Sequence, residues 1–141
     1  MKTYLYDTHV HTAETSPCGK VSALKLVQMY KIAGYHGIVI TDHYFDEYFE
    51  SLNNKTWEDK VDSFLRGYRL ARHEGEKIGL NVLLGMEIRF VENLNDYLVY
   101  GFDEEFLKGN KELYKLNLKT FKRLSEDNGL LVFQAHPFRF W

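Results

Sequence analysis

The chain has 141 residues, 45% of them hydrophobic and 27% charged, with a formal net charge of -2. That balance is too apolar for disorder and long enough for one buried core, yet no stretch nears the roughly 20 apolar residues that span a bilayer. Without a long Lys/Arg run there is no electrostatic footprint for nucleic acid, and the lone Cys18, with no signal-peptide pattern after Met1, makes the cytoplasm the expected compartment.

Tyr4 to His11 reads as a first strand, followed by a loop from Thr12 to Lys20 whose Ser16-Pro17-Cys18-Gly19 carries turn chemistry. Ser22 is placed to cap a helix with Ala23, Leu26, Val27, Tyr30 and Ala33 on its apolar face, ended by Gly34. Gly37 to Thr41 is continuously apolar up to its last residue, as in a strand buried on both faces. Tyr44 to Thr56 has no clear period and reads as a loop or irregular helix. Trp57 to Ile78 reads as one long helix with Val61, Phe64, Leu65, Tyr68, Ala71, Gly75 and Ile78 on a stripe. Asn81 to Val91 is the third strand, paired with Tyr97 to Phe102 across a turn at Glu92 to Asp96. A last helix is expected over Leu113 to Asp127, stopped at Asn128-Gly129, before a buried strand at Leu130 to Phe133. With no repeat, low-complexity tract or linker, residues 1–141 form one domain of α/β class with a mainly parallel sheet.

In such folds chemistry gathers where strands end at their carboxyl side. There the chain places Asp7-Thr8-His9-Val10-His11, Thr41-Asp42-His43, Gly85-Met86-Glu87 and Ala135-His136-Pro137. Alternation along an extended strand sends Asp7, His9 and His11 to one side, and two adjacent imidazoles make a chelate. A single strand-end His is more often a hydrogen-bonded loop residue, and a single Glu a salt-bridge partner. Five such side chains, His9, His11, His43, Glu87 and His136, leaving four apolar runs in register point instead to divalent metal. Asp7 is cast as orienting an imidazole and Asp42 as a weaker candidate for the same work. Arg139, three residues past His136, can offer a fork to phosphate, and Arg89 and Lys20 are lesser candidates beside the ordinary reading of surface cations. His36 and His73 read as solvated. Cys18 reads as a small loop hydrophobe ahead of a thiolate ligand.

These four motifs, in this order and across essentially the whole chain, resemble the PHP (polymerase and histidinol phosphatase) family. The resemblance implies a distorted (β/α)7 TIM-like barrel with two or three divalent ions (Zn, Mn or Fe) and hydrolysis of a phosphoester. It implies a small phosphorylated substrate, histidinol-phosphate-like or nucleotide-like. Residue by residue, His9 and His11 match ligands of one metal, Glu87 a bridging carboxylate, His136 a ligand of the second and His43 of the third. Family members usually close with a Gly-x-Asp-x-His segment, which this chain lacks, and Pro17 stands near where some place another His. Glu14 and Cys18 are weak substitutes. The expectation is therefore the amino-terminal portion of the barrel, lacking its carboxyl-terminal strands, as a truncation or closed by another chain. Alternatives are a metal-binding PHP module that serves as scaffold, a metal-dependent amidohydrolase, and a DNA-editing nuclease, which lacks the basic surface.

Overall fold

The computed structural model describes residues 2–139. A curled half-barrel sheet organises them, with strands β1 (Tyr6–Val10), β2 (Gly37–Ile40), β3 (His43–Tyr44), β4 (Asn81–Arg89), β5 (Asp96–Tyr100) and β6 (Leu131–Gln134). The order is β1-β2-β4-β5-β6, with β3 also paired to β4. β1, β2 and β4 run parallel, while β5 lies antiparallel between β4 and β6. Hence β1, β2, β4 and β6 all end at the same rim.

Helices α1 (Ala23–Ile32) and α4 (Arg66–Ile78) pack together, and α4 also lies on β4. They cover the sheet face that carries Val82, Met86 and Ile88, all buried. The opposite face follows from strand pairing: Glu87 opposes Leu98, Arg89 opposes Asp96, and Leu98 opposes Phe133. This second face holds the polar residues at the rim and leaves Leu83, Leu131 and Phe133 exposed. β6 is therefore an exposed edge strand rather than a buried one. Helix α6 (Leu118–Asp127) packs against it and Val132 packs onto the core, but among the described residues no layer covers the face that carries Leu131 and Phe133.

Three helical boundaries differ from expectation. Ser22 makes no side-chain cap; the Glu14 carboxylate does that work, accepting from Ala23 N at 3.0 and 3.1 Å. Glu14 is thus committed to the α1 N-terminus. The long helix is two: α3 (Trp57–Phe64), capped by the Thr56 hydroxyl, and α4, broken at Leu65. The Thr15 hydroxyl donates to Phe64 O at 3.1 Å at that break. The expected last helix begins only at Leu118, where Asn117 caps α6; short helix α2 (Asp46–Ser51) lies in the stretch without a clear period, and α5 (Glu104–Gly109) in a segment the sequence assigned to no element. No described helix is long and apolar enough to cross a membrane.

The α3–α4 break has a steric counterpart. A Cβ on Gly67 would stand 2.0 Å from Thr12 Oγ1 and 3.0 Å from Asp42 Oδ2, so the start of α4 is pressed onto the rim. Gly67→Ala is expected to lower stability by about 1–3 kcal/mol through overpacking. Thermal denaturation followed by circular dichroism measures it, and an unchanged midpoint would remove this constraint.

Candidate metal centre

Each rim segment is delivered by a different local device. β1 carries one residue more than β2 between Asp7 and Val10, a bulge that re-aims the chain before His9 and His11. Thr41 stitches the end of β2 to β1: its hydroxyl accepts from Val10 N at 3.0 Å and its amide donates to Val10 O at 2.8 Å. β3 then pairs His43 directly with Glu87. Past β6, Ala135 N donates to Asp96 O at 2.8 Å, and His136 adopts a left-handed backbone with φ 43°. Such a conformation is uncommon for a residue with a side chain and clusters at functional turns.

The side chains converge on Glu87, which is 1% exposed. Its Oε2 lies 3.4 Å from His9 Nε2, 3.2 Å from His11 Nε2 and 3.1 Å from His43 Nε2. Its Oε1 lies 3.2 Å from His136 Nε2 but accepts no hydrogen bond among the described residues. The His9 and His11 Nε2 atoms stand 3.1 Å apart. Two ligand atoms held about 2.0–2.2 Å from a common ion, at tetrahedral to octahedral angles, are separated by about 2.8–3.6 Å. The observed spacings fall in that interval. Two donor groups, His9 with Glu87 and His136, and His11 with Cys18 and His43, each have all their donor atoms within 4.8 Å of one another. The orphaned, buried Oε1 and the nitrogen and oxygen donor set both fit a divalent cation.

Glu87 and the imidazoles also shift one another's protonation. Burial works against ionisation of Glu87, but His11, His43 and His9 outweigh it and hold the carboxyl well below the usual carboxylate range. Glu87 in turn raises His9 above its ordinary value of 6.5 despite partial burial.

Behind the imidazoles sits a buried polar network. Asp42, 2% exposed, accepts from Thr12 N, Thr12 Oγ1 and Ser16 Oγ, each at 2.7 Å. Burial raises its pKa, and these three donors oppose the rise. Ser16 Oγ in turn accepts from His43 N at 2.9 Å and stands 3.4 Å from His11 Nδ1. Asp42 therefore reaches the imidazoles through Ser16, a residue the sequence marked only as turn chemistry. Asp7 takes a different post from the one expected. Its carboxylate accepts from the Tyr30 hydroxyl at 2.7 Å and from His9 N at 3.1 Å, so it holds the backbone that carries His9.

The cations divide. Arg89 makes a two-pronged contact with the buried Asp96, at 2.8 and 3.2 Å, and lies 4.3 Å from the centre of the Phe45 ring. Arg139 follows a turn closed by its amide on His136 O at 2.9 Å and lines the same cleft of about 560 Å³ as the five converging side chains. Lys20 is exposed and lies outside that lining. His36 is at the opposite end of β2, where Nδ1 accepts from Leu5 N at 3.0 Å, and His73 is exposed on α4.

In the metal-free chain the shifts above define a pH window. A depressed carboxyl such as Glu87 contributes stability that is present above its unfolded value of 4.5 and lost as pH falls through the folded one. A raised imidazole such as His9 contributes stability that is present below 6.5 and lost as pH rises through its folded value. Both contributions coincide between pH 4.5 and 6.5, so metal-free stability is expected to peak there. Urea denaturation across pH measures it, and Glu87→Gln should flatten the maximum.

A family model for the PHP domain matches residues 7–135. Among solved structures, a provisionally named metal-dependent phosphoesterase from Bifidobacterium adolescentis is 25% identical over 89% of this chain and 40% of its own, with a TM-score of 0.52. A two-domain protein from Bacteroides vulgatus with a predicted PHP-like metal-dependent phosphoesterase shares the fold at TM-score 0.65 and 22% identity, over 96% of this chain and 38% of its own. This chain thus spans about two fifths of the length of those proteins. No curated protein matches it significantly.

Proposed function

The chain belongs to the PHP domain family, and from that premise we propose that it is the metal-holding portion of a hydrolase acting on a small phosphomonoester. The proposal is carried by one observation: four imidazoles from three segments of the chain surround a buried carboxylate whose Oε1 accepts no hydrogen bond among the described residues. The whole of 1–141 is assigned to this one domain.

His9, His11, His43, Glu87 and His136 would hold two or three divalent ions of zinc, manganese or iron type, with Glu87 as the carboxylate that the resemblance makes a shared ligand. Such ions supply Lewis acidity toward phosphoryl oxygens and a water made nucleophilic near neutral pH. The chain's own residues do the positioning. Glu87, ionised by its imidazole neighbours, contributes both oxygens and holds the separation between the donor groups. Asp42 and Ser16 orient His11 and fix the backbone of His43. Asp7, itself held by Tyr30, fixes the backbone of His9. Arg139, at the cleft wall, offers its guanidinium to the phosphate, a planar fork suited to two of its oxygens. Arg89 sits with Asp96 at the same wall and adds positive charge while its partner limits its reach.

Purified protein is expected to carry divalent metal and to turn over p-nitrophenyl phosphate with added Mn²⁺ or Zn²⁺. His9→Ala and Glu87→Ala should each lose metal relative to the parent. Ser16→Ala, which removes the supporting contacts to Asp42, His11 and the His43 amide but no ligand, should weaken metal affinity by about 10–100-fold. Equal metal content in parent and variants would overturn the assignment. Metal retained without turnover would favour a scaffold module over an enzyme.

A further inference from the structure

We propose that Cys18 supplies a thiolate ligand beside His11 and His43, making that ion position selective for a thiophilic metal such as zinc, cadmium or cobalt over manganese. The inference rests on the metal-centre reading given above and deepens it. Cys18 Sγ lies 3.4 Å from His43 Nε2, and the donor atoms of His11, Cys18 and His43 all fall within 4.8 Å of one another. A second observation points into the same cluster: the Glu87 carboxylate, 1% exposed, places Oε2 3.2 Å from His11 Nε2 and 3.1 Å from His43 Nε2, while its other oxygen, Oε1, faces His136 in the neighbouring donor group.

The loop that carries the sulfur is built rather than free. Ser16, two residues earlier, is buried and tied to Asp42, His11 and the His43 amide. Gly19 donates its amide to Ser16 O at 2.9 Å, and a Cβ there would lie 2.3 Å from Thr12 O. The chain therefore passes Cys18 tightly over the rim. The bland alternative, a small apolar residue filling space, conflicts with its exposure. Imidazole and carboxylate alone suit manganese and iron as well as zinc, whereas a thiolate shifts the preference toward softer ions. On binding, the thiol proton leaves to solvent and a sulfur lone pair goes to the ion, so no oxidant or reductant is needed.

The test uses the reduced, metal-stripped protein titrated anaerobically with Co²⁺ and followed in the near ultraviolet. A thiolate-to-cobalt charge-transfer band is expected in the parent and not in Cys18→Ser or Cys18→His, both of which should still bind cobalt through His9, Glu87 and His136. Loss of a direct ligand should weaken Cd²⁺ binding in Cys18→Ser by more than the about 10–100-fold typical of losing a supporting contact, with Mn²⁺ affinity little changed. Cobalt bound to the parent without the band, or Cd²⁺ affinity unchanged in Cys18→Ser, overturns the thiolate and leaves the metal centre standing. A parent that binds no cobalt overturns both.

Discussion

A carboxylate taken out of water is the constraint around which this rim is arranged. Burying an ionised group carries an effective penalty of several kcal/mol unless partners replace the lost hydration. Glu87 is buried near the carboxyl end of β4 with its carboxyl at the centre of four imidazoles. Neutral imidazoles can offset the burial only as hydrogen-bond donors, and Oε1 receives no such bond. The imidazoles of His9, His11 and His43 gather at Oε2 and keep the group ionised, which leaves Oε1 as the atom without a donor and a cation as the partner that fits it. A cluster that is poorly satisfied without a cation and well spaced for one is the physical content of the metal reading.

The rest of the rim supports that centre through contacts made in depth. Asp42 gathers three donors and hands its influence forward through Ser16 to His11 and His43. Gly67 lets the first turn of α4 press against Thr12 and Asp42, and the break after Phe64 swings α4 into position to do so. Core packing and site geometry are coupled there. The helix that buries Tyr68 and Ala71 against the core also abuts Thr12 and Asp42 behind the imidazoles.

Much of this was legible in one dimension because it depends on period and punctuation. The apolar runs at Gly37 to Ile40 and along Asn81 to Arg89 became strands, and His9, His11, His43, Glu87 and His136 came together because parallel strands share a rim. Other features were invisible because they depend on distant partners. Glu14 lies close in sequence to the helix it caps, yet Ser22 was the better local cap by residue type, and only the loop path decided between them. The long helix split without a proline to mark it. Its Thr15–Phe64 contact spans 49 residues of chain. The Arg89–Asp96 pair was the most recoverable of the missed contacts, since the β4–β5 hairpin register sets those two residues opposite each other.

By itself, then, the amino-acid order determined which residue types reach the strand ends and the α/β alternation that carries them there. Both follow from short-range rules of hydrophobic period and turn composition. Tertiary structure decided which atoms meet: that Asp7 grips a backbone amide, that Ser16 links Asp42 to two imidazoles, and that Cys18 sits beside His43. Those contacts hinge on ångström-scale separations between segments tens of residues apart. Such separations are set by how helices pack on the sheet, which no local pattern of residues encodes.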